Sequence, residues 1–265
     1  MRALPVWIVP FVLLAGCATL PDGRLWGETA TKSPGWERVR TAASEAARDP
    51  WVWAPLAGAA ALQFNSWDRK VSDWAIHEMP VFGSAESATN WSNDLRSAAI
   101  FADFTTIILA PSGDDTRTWI DNKAKGFAVE FAATSAAQLT THVLKSTTGR
   151  TRPSKSNDES FPSGHATTSA TYSRLAARNL EFLDLKPSVR RGLTYGLDAV
   201  TVATAWSRVE AADHYPADTM FSIALGNFMA NFFNDAFMKS GGSPKQEVAV
   251  VPTDGGLLLN FSARV

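Results

Sequence analysis

Apolar residues recur at helical spacing along most of the chain. Phe221, Leu225 and Phe228, for example, are three or four residues apart, which places them on one face of an α-helix. Polar stretches with glycine or proline, at residues 111–115 and 149–162, predict loops. The pattern as a whole predicts an all-α protein, a helical bundle with helices near 36–48, 52–65, 68–78, 94–109, 118–145, 164–179, 188–206 and 217–238.

The C-terminal tail has a different pattern. Residues 240–244 are rich in glycine and serine and predict a linker. Beyond it, apolar residues alternate along Leu257–Val265, as they do in a strand with one covered face. Because Val248–Val251 precedes this stretch and Asp254-Gly255-Gly256 lies between the two, the sequence predicts a small C-terminal β-hairpin.

The first residues have the pattern of an export signal. Arg2 precedes an uncharged, mostly apolar run, Ala3–Ala15, which is short for a membrane span. The run ends in Leu14-Ala15-Gly16-Cys17, which resembles the lipobox of bacterial lipoproteins. This resemblance implies an acylated Cys17 that anchors the chain facing the periplasm, and Ala18, in place of aspartate, slightly favours the outer membrane. The alternatives are an ordinary signal peptide or an N-terminal core helix with a buried cysteine.

Composition narrows the class of protein. The 265 residues are 45% hydrophobic and 19% charged, which is typical of a globular protein. The net charge is 25 − 26 = −1, so we expect no nucleic-acid partner. A single cysteine excludes an intramolecular disulfide and a cysteine-based zinc site. The predicted organisation has four parts: a signal peptide at 1–16, a Trp-rich helical segment at 17–93, a core at 94–238, and a linker and hairpin at 239–265.

Tryptophan is concentrated in the N-terminal part of the chain. Seven of the ten tryptophans lie between Trp26 and Trp91. Core packing is the favoured interpretation, because large aromatic side chains dominate protein interiors. The alternative is an interfacial belt beside the lipid anchor.

Two segments around the predicted 149–162 loop carry residue types suited to binding an anion. Lys145 and Arg152-Pro153 are separated by six residues and belong to a stretch without acidic residues. Ser163-Gly164-His165 follows, where a helix begins and its free amide groups can bind an anion. Arg150 and Lys155 are expected to be solvated loop charges, and the alternative is that they extend the anion site.

A third segment pairs a histidine with an acid. Ser207-Arg208 precedes His214 by five residues, and Asp218 follows after three more. Pro216 suits a first helical turn, so His214 is expected at the start of the last long helix. Asp218 would then lie in that turn, placed to accept a hydrogen bond from His214.

Together the three segments read KX6RP, PSGH and SRX5HX3D, and all eleven specified positions match. This pattern resembles the type 2 phosphatidic acid phosphatase (PAP2) superfamily, which includes periplasmic acid phosphatases and vanadium haloperoxidases. The resemblance covers about 94–238 and implies a helical bundle of the PAP2/haloperoxidase type. Ala212 and Ser222 depart from it, since glycine is expected at both positions.

The resemblance implies a role for each matched residue. His214 is the nucleophile that forms a phosphohistidine, Asp218 orients it, and His165 is the general acid and base. No metal or other cofactor is expected, and vanadate is expected to inhibit. The phosphate-binding residues are Lys145, Arg152, Ser163, Gly164 and Arg208.

The function implied is a metal-independent phosphatase acting on a phosphomonoester or diphosphate, with a lipid phosphate favoured by the predicted anchor. One alternative is a vanadate-dependent haloperoxidase, which uses the same constellation with vanadate as its cofactor. A non-specific periplasmic acid phosphatase or phosphotransferase is another. A protein that keeps the fold only to bind or scaffold is the last.

Overall fold

A computed structural model describes residues 23–238 in full, and the backbone of 246–253 and 256–263. The lipobox with Cys17 and the predicted linker at 240–244 lie outside the described residues. The predicted lipid anchor therefore stays a prediction.

The described part of the chain folds mainly into long helices. Short 3₁₀ turns at Phe64–Ser66 and Leu180–Phe182 connect some of them, and a π-helical segment, Asn234–Met238, follows the last. The helical class predicted from the sequence is confirmed. The α-helices are α1 (Trp36–Arg48), α2 (Pro50–Ala61), α3 (Trp67–Glu78), α4 (Ala85–Leu109), α5 (Thr116–Thr148), α6 (Gly164–Asn179), α7 (Pro187–Glu210) and α8 (Pro216–Phe233).

Helix boundaries differ from the prediction mainly where a capping residue decides them. α4 begins at Ala85 rather than near 94, because the Ser84 side chain accepts a hydrogen bond from the Ser87 amide. α2 begins at Pro50 because Asp49 caps the Trp51 amide in the same way. α4 therefore starts inside the predicted Trp-rich segment and runs into the predicted core.

Two strands, β1 (Gln246–Thr253) and β2 (Gly256–Ala263), follow the helices. Their backbones pair antiparallel, with Val248 opposite Phe261. The comparison with known structures supports only the helical part of the fold, so the hairpin is not confirmed as part of it. The hairpin lies outside the residues whose side chains the structure describes.

Helix α6 lies at the centre of the bundle and packs against α4, α5, α7 and α8. It is buried on most sides, which its small and hydroxyl-bearing residues allow. The contact with α8 is closest at Gly226, where a Cβ atom would lie 2.7 Å from both the Thr167 carbonyl oxygen and the Ala170 Cβ. The first turn of α6 is therefore held in a fixed place among its neighbours.

Trp26 ties the start of the described chain to this core. Its indole is fully buried, and its Nε1 donates to the Asn179 Oδ1 at 2.6 Å. Gly126 leaves room for the ring, since a Cβ there would lie 2.4 Å from an indole carbon. The N-terminal segment is thus packed on the helical core.

Most of the other tryptophans in this segment are not core residues. Trp36 is 77% exposed, and four more are at least 43% exposed. Core packing is therefore the wrong interpretation for these five, and the interfacial belt stays a prediction. No helix in the described part of the chain combines the length and apolar character needed to cross a bilayer. The exposed members are Trp36, Trp53, Trp67, Trp74 and Trp91.

Candidate active site

The start of α6, where the sequence predicts an anion site, is an open turn. Ser163 caps the helix by accepting a hydrogen bond from the Ala166 amide, at 3.4 Å. The amide of Ser163 donates to the Ser222 Oγ at 2.7 Å, and that hydroxyl donates to the Asp218 carbonyl at 2.6 Å. The space beside Gly164 is empty, so a ligand can approach its backbone. Ser222, one of the two departures from the expected pattern, thus joins α8 to this turn.

Ala212, the other departure, lies in the turn between α7 and α8. Its φ of 58° is in the left-handed region, which is why the family pattern has glycine there. Alanine adopts the same conformation at a modest cost in strain. The turn before His214 is therefore kept despite the substitution.

Three cations lie near enough to the first turn of α6 for their charges to act on its His165. Lys145 lies in the last turn of α5, Arg152 in the following loop and Arg208 in the last turn of α7. The Nε atoms of Arg152 and Arg208 are buried without a hydrogen-bond partner. Buried donors of this kind are costly unless a ligand accepts from them. The predicted phosphate-binding cations thus lie together, and two of them have an N–H donor that no described residue uses.

One carboxylate, Asp213, binds both arginines. Its Oδ1 pairs with Arg152 and its Oδ2 with Arg208. The sequence analysis missed this residue. The only signal was its position directly before His214, where an acid next to the predicted nucleophile would have been worth noting.

The His214 side chain is buried, with 2% of its surface exposed, and one ring nitrogen holds it in place. Its Nδ1 contacts the carbonyl oxygen of Ser160, and because a carbonyl only accepts, Nδ1 carries the proton. Burial lowers the pKa of His214 well below its usual value, as do the neighbouring cations, and the Ser160 hydrogen bond offsets this in part. The ring is therefore neutral, and its Nε2 keeps a free lone pair.

The predicted contact between His214 and Asp218 is wrong. The Asp218 carboxylate instead pairs with Arg150, accepts from the Ser160 hydroxyl at 2.6 Å and accepts from the Tyr215 amide at 3.0 Å. The reason is that Ser160 lies between the two residues. Its backbone holds His214, and its side chain holds Asp218. Asp218 is thus a positioning residue that acts through Ser160.

Arg150 is not a solvated loop charge either. It joins Asp218 to Asp68 of α3, whose Oδ2 it contacts at 2.7 Å, and it lies 4.2 Å above the Tyr215 ring. Asp68 also accepts from the Ala217 amide at 2.8 Å, at the start of α8. This network fixes the loop that carries Ser160 against α8.

His165 faces α4 across the turn. Its Nε2 contacts the Asn93 Oδ1 at 2.9 Å, and the adjacent Ser92 accepts from Arg208 at 2.8 Å. Burial, followed by the fields of Arg208, Arg96 and other cations, lowers the pKa of His165 to about 3. Both site histidines are therefore neutral near pH 7.

Two further sequence predictions concern His77 and metal binding. His77 contacts the Asp73 carbonyl of its own helix at 2.7 Å, as a structural histidine does. Within the described residues, no group of three or more His, Cys, Asp or Glu side chains is arranged to hold a metal ion.

The arrangement predicts the behaviour of the Asp218→Asn variant. Because the Ser160 carbonyl, not Asp218, holds the imidazole, we expect His214 to keep its Nδ1–H tautomer in this variant. Activity should fall, by roughly ten- to hundredfold, since Arg150 and Ser160 lose their charged partner. Nitrogen NMR of the His214 ring reports the tautomer. A move of the proton to Nε2 would contradict the indirect role of Asp218.

Known proteins are similar to this chain in sequence pattern and in fold. Residues 127–241 match the model of the PAP2 superfamily. Among solved structures, a transmembrane PAP2-type phosphatidylglycerolphosphate phosphatase from Bacillus subtilis is similar, with 21% sequence identity and a TM-score of 0.52. The similarity covers 69% of this chain and 92% of that chain. No curated protein matches the chain significantly.

The matched region contains the whole constellation from Lys145 to Asp218, whereas α4 with Ser92 and Asn93 precedes it. The prediction of an enzyme of the phosphatase class is confirmed by this match. Residues 127–241, which hold the candidate site, are therefore similar to the PAP2 superfamily.

Proposed function

We propose that the chain is a metal-independent phosphatase that hydrolyses a phosphomonoester or diphosphate, most favourably of a lipid, through a phosphohistidine. One observation carries the proposal: a buried, neutral histidine with a free Nε2 is surrounded by Lys145, Arg152 and Arg208. Phosphoryl transfer requires mainly positioning and stabilisation of charge on the phosphoryl oxygens. Three fixed cations and the turn at Ser163-Gly164 provide both.

In the first step, the His214 Nε2 attacks phosphorus. An N–P bond forms while the bond from phosphorus to the leaving oxygen breaks. His214 becomes positively charged, and the Ser160 carbonyl, which accepts from Nδ1, stabilises that charge. The neutral His165 takes the proton that the monoanionic substrate carries and passes it to the leaving oxygen.

In the second step, His165 takes a proton from water. The resulting hydroxide-like oxygen attacks phosphorus, the N–P bond breaks, and inorganic phosphate is released. His214 returns to its neutral form with the same tautomer. His165 passes the proton that it took from water to the departing phosphate, so it is neutral again and the site returns to its starting state.

A lipid phosphate is favoured as the substrate for two reasons. The Bacillus subtilis protein of similar fold is a phosphatidylglycerolphosphate phosphatase. The predicted acylation of Cys17 would also hold this domain beside lipid headgroups, where tethering raises the effective substrate concentration.

Replacing the nucleophile tests the reaction. We expect His214→Ala to reduce phosphate release by roughly a thousandfold or more, because no other group can form the intermediate. Enzyme mixed with phosphorus-labelled substrate and quenched in base should carry label on His214. The matched control is His77→Ala, at an exposed histidine of α3, which should retain wild-type activity.

Two outcomes would contradict the proposed reaction. Activity that survives His214→Ala would overturn the nucleophile. Loss of wild-type activity in EDTA, restored by a divalent metal, would overturn the metal-independent mechanism, because the fixed cations would then not be the main source of charge stabilisation.

The neutral His165 predicts how activity depends on pH. With its pKa lowered to about 3, His165 is deprotonated in the free enzyme, so the catalytic proton must arrive on a monoanionic substrate. Phosphate monoesters lose that proton near a pKa of about 6. For a short alkyl phosphate, kcat/KM should be flat between about pH 3 and that pH, and fall by about tenfold per pH unit above it. A rate that rises through pH 7 would contradict this assignment.

We also propose that acylated Cys17 anchors the enzyme in the cell envelope, facing the periplasm, with the outer membrane slightly favoured. Cys17→Ser should abolish incorporation of labelled fatty acid and release the protein from membranes. Its activity on a short soluble phosphoester should equal that of wild type, since the three motifs between Lys145 and Asp218 are unchanged. Unaltered membrane fractionation of the variant, without acyl label in wild type, would overturn the anchor.

A further inference from the structure

One face of α4 borders the site without belonging to the motifs that define it. Ser92 accepts from Arg208 at 2.8 Å, and Asn93 contacts His165 at 2.9 Å. Arg96 lies one helical turn further on, on the face shared by Ser92 and Asn93. These contacts place Arg96 beside the rim formed by His165.

Arg96 has an unsatisfied buried donor. Its side chain is partly buried, and its Nε is enclosed without a hydrogen-bond partner. The described residues give Arg96 no ion pair, unlike Arg150, Arg152 and Arg208, each of which has a carboxylate. A guanidinium in such a position is costly unless an anion binds to it.

Arg96 lies on one particular side of the site. Its field acts on His165 and on Arg208. The charges that act on His214 are those of Lys145, Arg152 and Arg208, without Arg96. Arg96 is therefore nearer to the general acid than to the nucleophile. In an in-line displacement these two mark opposite ends, so Arg96 lies at the end from which the leaving group departs.

On the basis of the function proposed above, we propose that Arg96 binds a negatively charged group of the leaving group and so selects substrates whose leaving group is an anion. The α4 face on which it lies precedes the residues that match the superfamily, so the family match does not assign this role. The remaining donors of its planar guanidinium suit a phosphate oxygen.

Two kinds of substrate present such a group. In a prenyl diphosphate, the leaving group is a phosphomonoester whose charge is one bridging oxygen from the transferred phosphorus. In phosphatidylglycerolphosphate, the leaving group is a phosphodiester, and the charge lies across a glycerol spacer. The shared feature is a second phosphate on the departing side.

The test compares substrates in matched pairs on the full chain. One pair is a prenyl diphosphate and the same prenyl monophosphate. The other is phosphatidylglycerolphosphate and phosphatidate, whose leaving group is neutral. We expect wild type to favour the anionic member of at least one pair, and Arg96→Gln to reduce that preference by roughly ten- to hundredfold in kcat/KM. The control is Arg40→Gln, an exposed arginine on α1 that should leave both ratios unchanged.

The two pairs identify the source of the charge. Loss of preference only in the prenyl pair places the bound anion next to the transferred phosphoryl group, whereas loss only in the glycerophospholipid pair places it at the phosphodiester. An equal loss on all four substrates would overturn the inference, because Arg96 would then act on the transferred group or on the fold. Unchanged ratios in Arg96→Gln would overturn it too.

A binding measurement keeps the inference separate from the proposed function. Calorimetry with methylenediphosphonate and with inorganic phosphate should show that Arg96→Gln weakens the diphosphonate more, by roughly tenfold. If wild type releases no phosphate from any substrate, the proposed function fails, while this binding difference still tests Arg96. If both ligands weaken equally, the assignment of Arg96 is wrong.

Discussion

The geometry of the site depends on the enclosure of helix α6. Four helices surround it, and most of the residues that it buries between them are alanine, serine and threonine. At Gly226 even a methyl group would collide with the α6 backbone. This close packing fixes the first turn of α6 relative to α4, α7 and α8, which supply Asn93, Arg208 and Asp218. The donors around a phosphoryl group must keep their positions to within a fraction of an ångström. The close packing of this core provides that precision.

The charged side chains of the site are positioned by acids from distant parts of the sequence. Arg150 is held between Asp68 of α3 and Asp218 of α8, and this holds the loop on which Ser160 lies. Buried ion pairs contribute little net stability, since the cost of removing charges from water offsets their attraction. Their effect here is to define position. The tautomer of His214 follows from a chain of contacts that begins on α3.

Much of the site could be predicted from the sequence, because spacing on a helix and a motif with eleven fixed positions identify side chains directly. The partner of His214 could not, since any residue supplies a backbone carbonyl and Ser160 therefore leaves no signal. Arg150 was misjudged because its partner Asp68 lies 82 residues away. The exposed tryptophans were misjudged because aromatic composition does not say which face of a helix is covered. Local patterns predict local structure, and these three features depend on tertiary contacts.

Asp213 gives the resting site its own counter-ion. Its two carboxylate oxygens satisfy the same guanidinium groups that a phosphoryl group would use. In the proposed function, a bound phosphoryl group would compete with Asp213 for both guanidinium groups, and the affinity would reflect the difference between the two anions. In the proposed reaction the same competition would act in reverse: as inorganic phosphate leaves, the carboxylate would take back both arginines, which would lower the barrier to product release. Under the proposed function, an acid among the phosphate-binding cations would thus favour turnover over tight retention of the product.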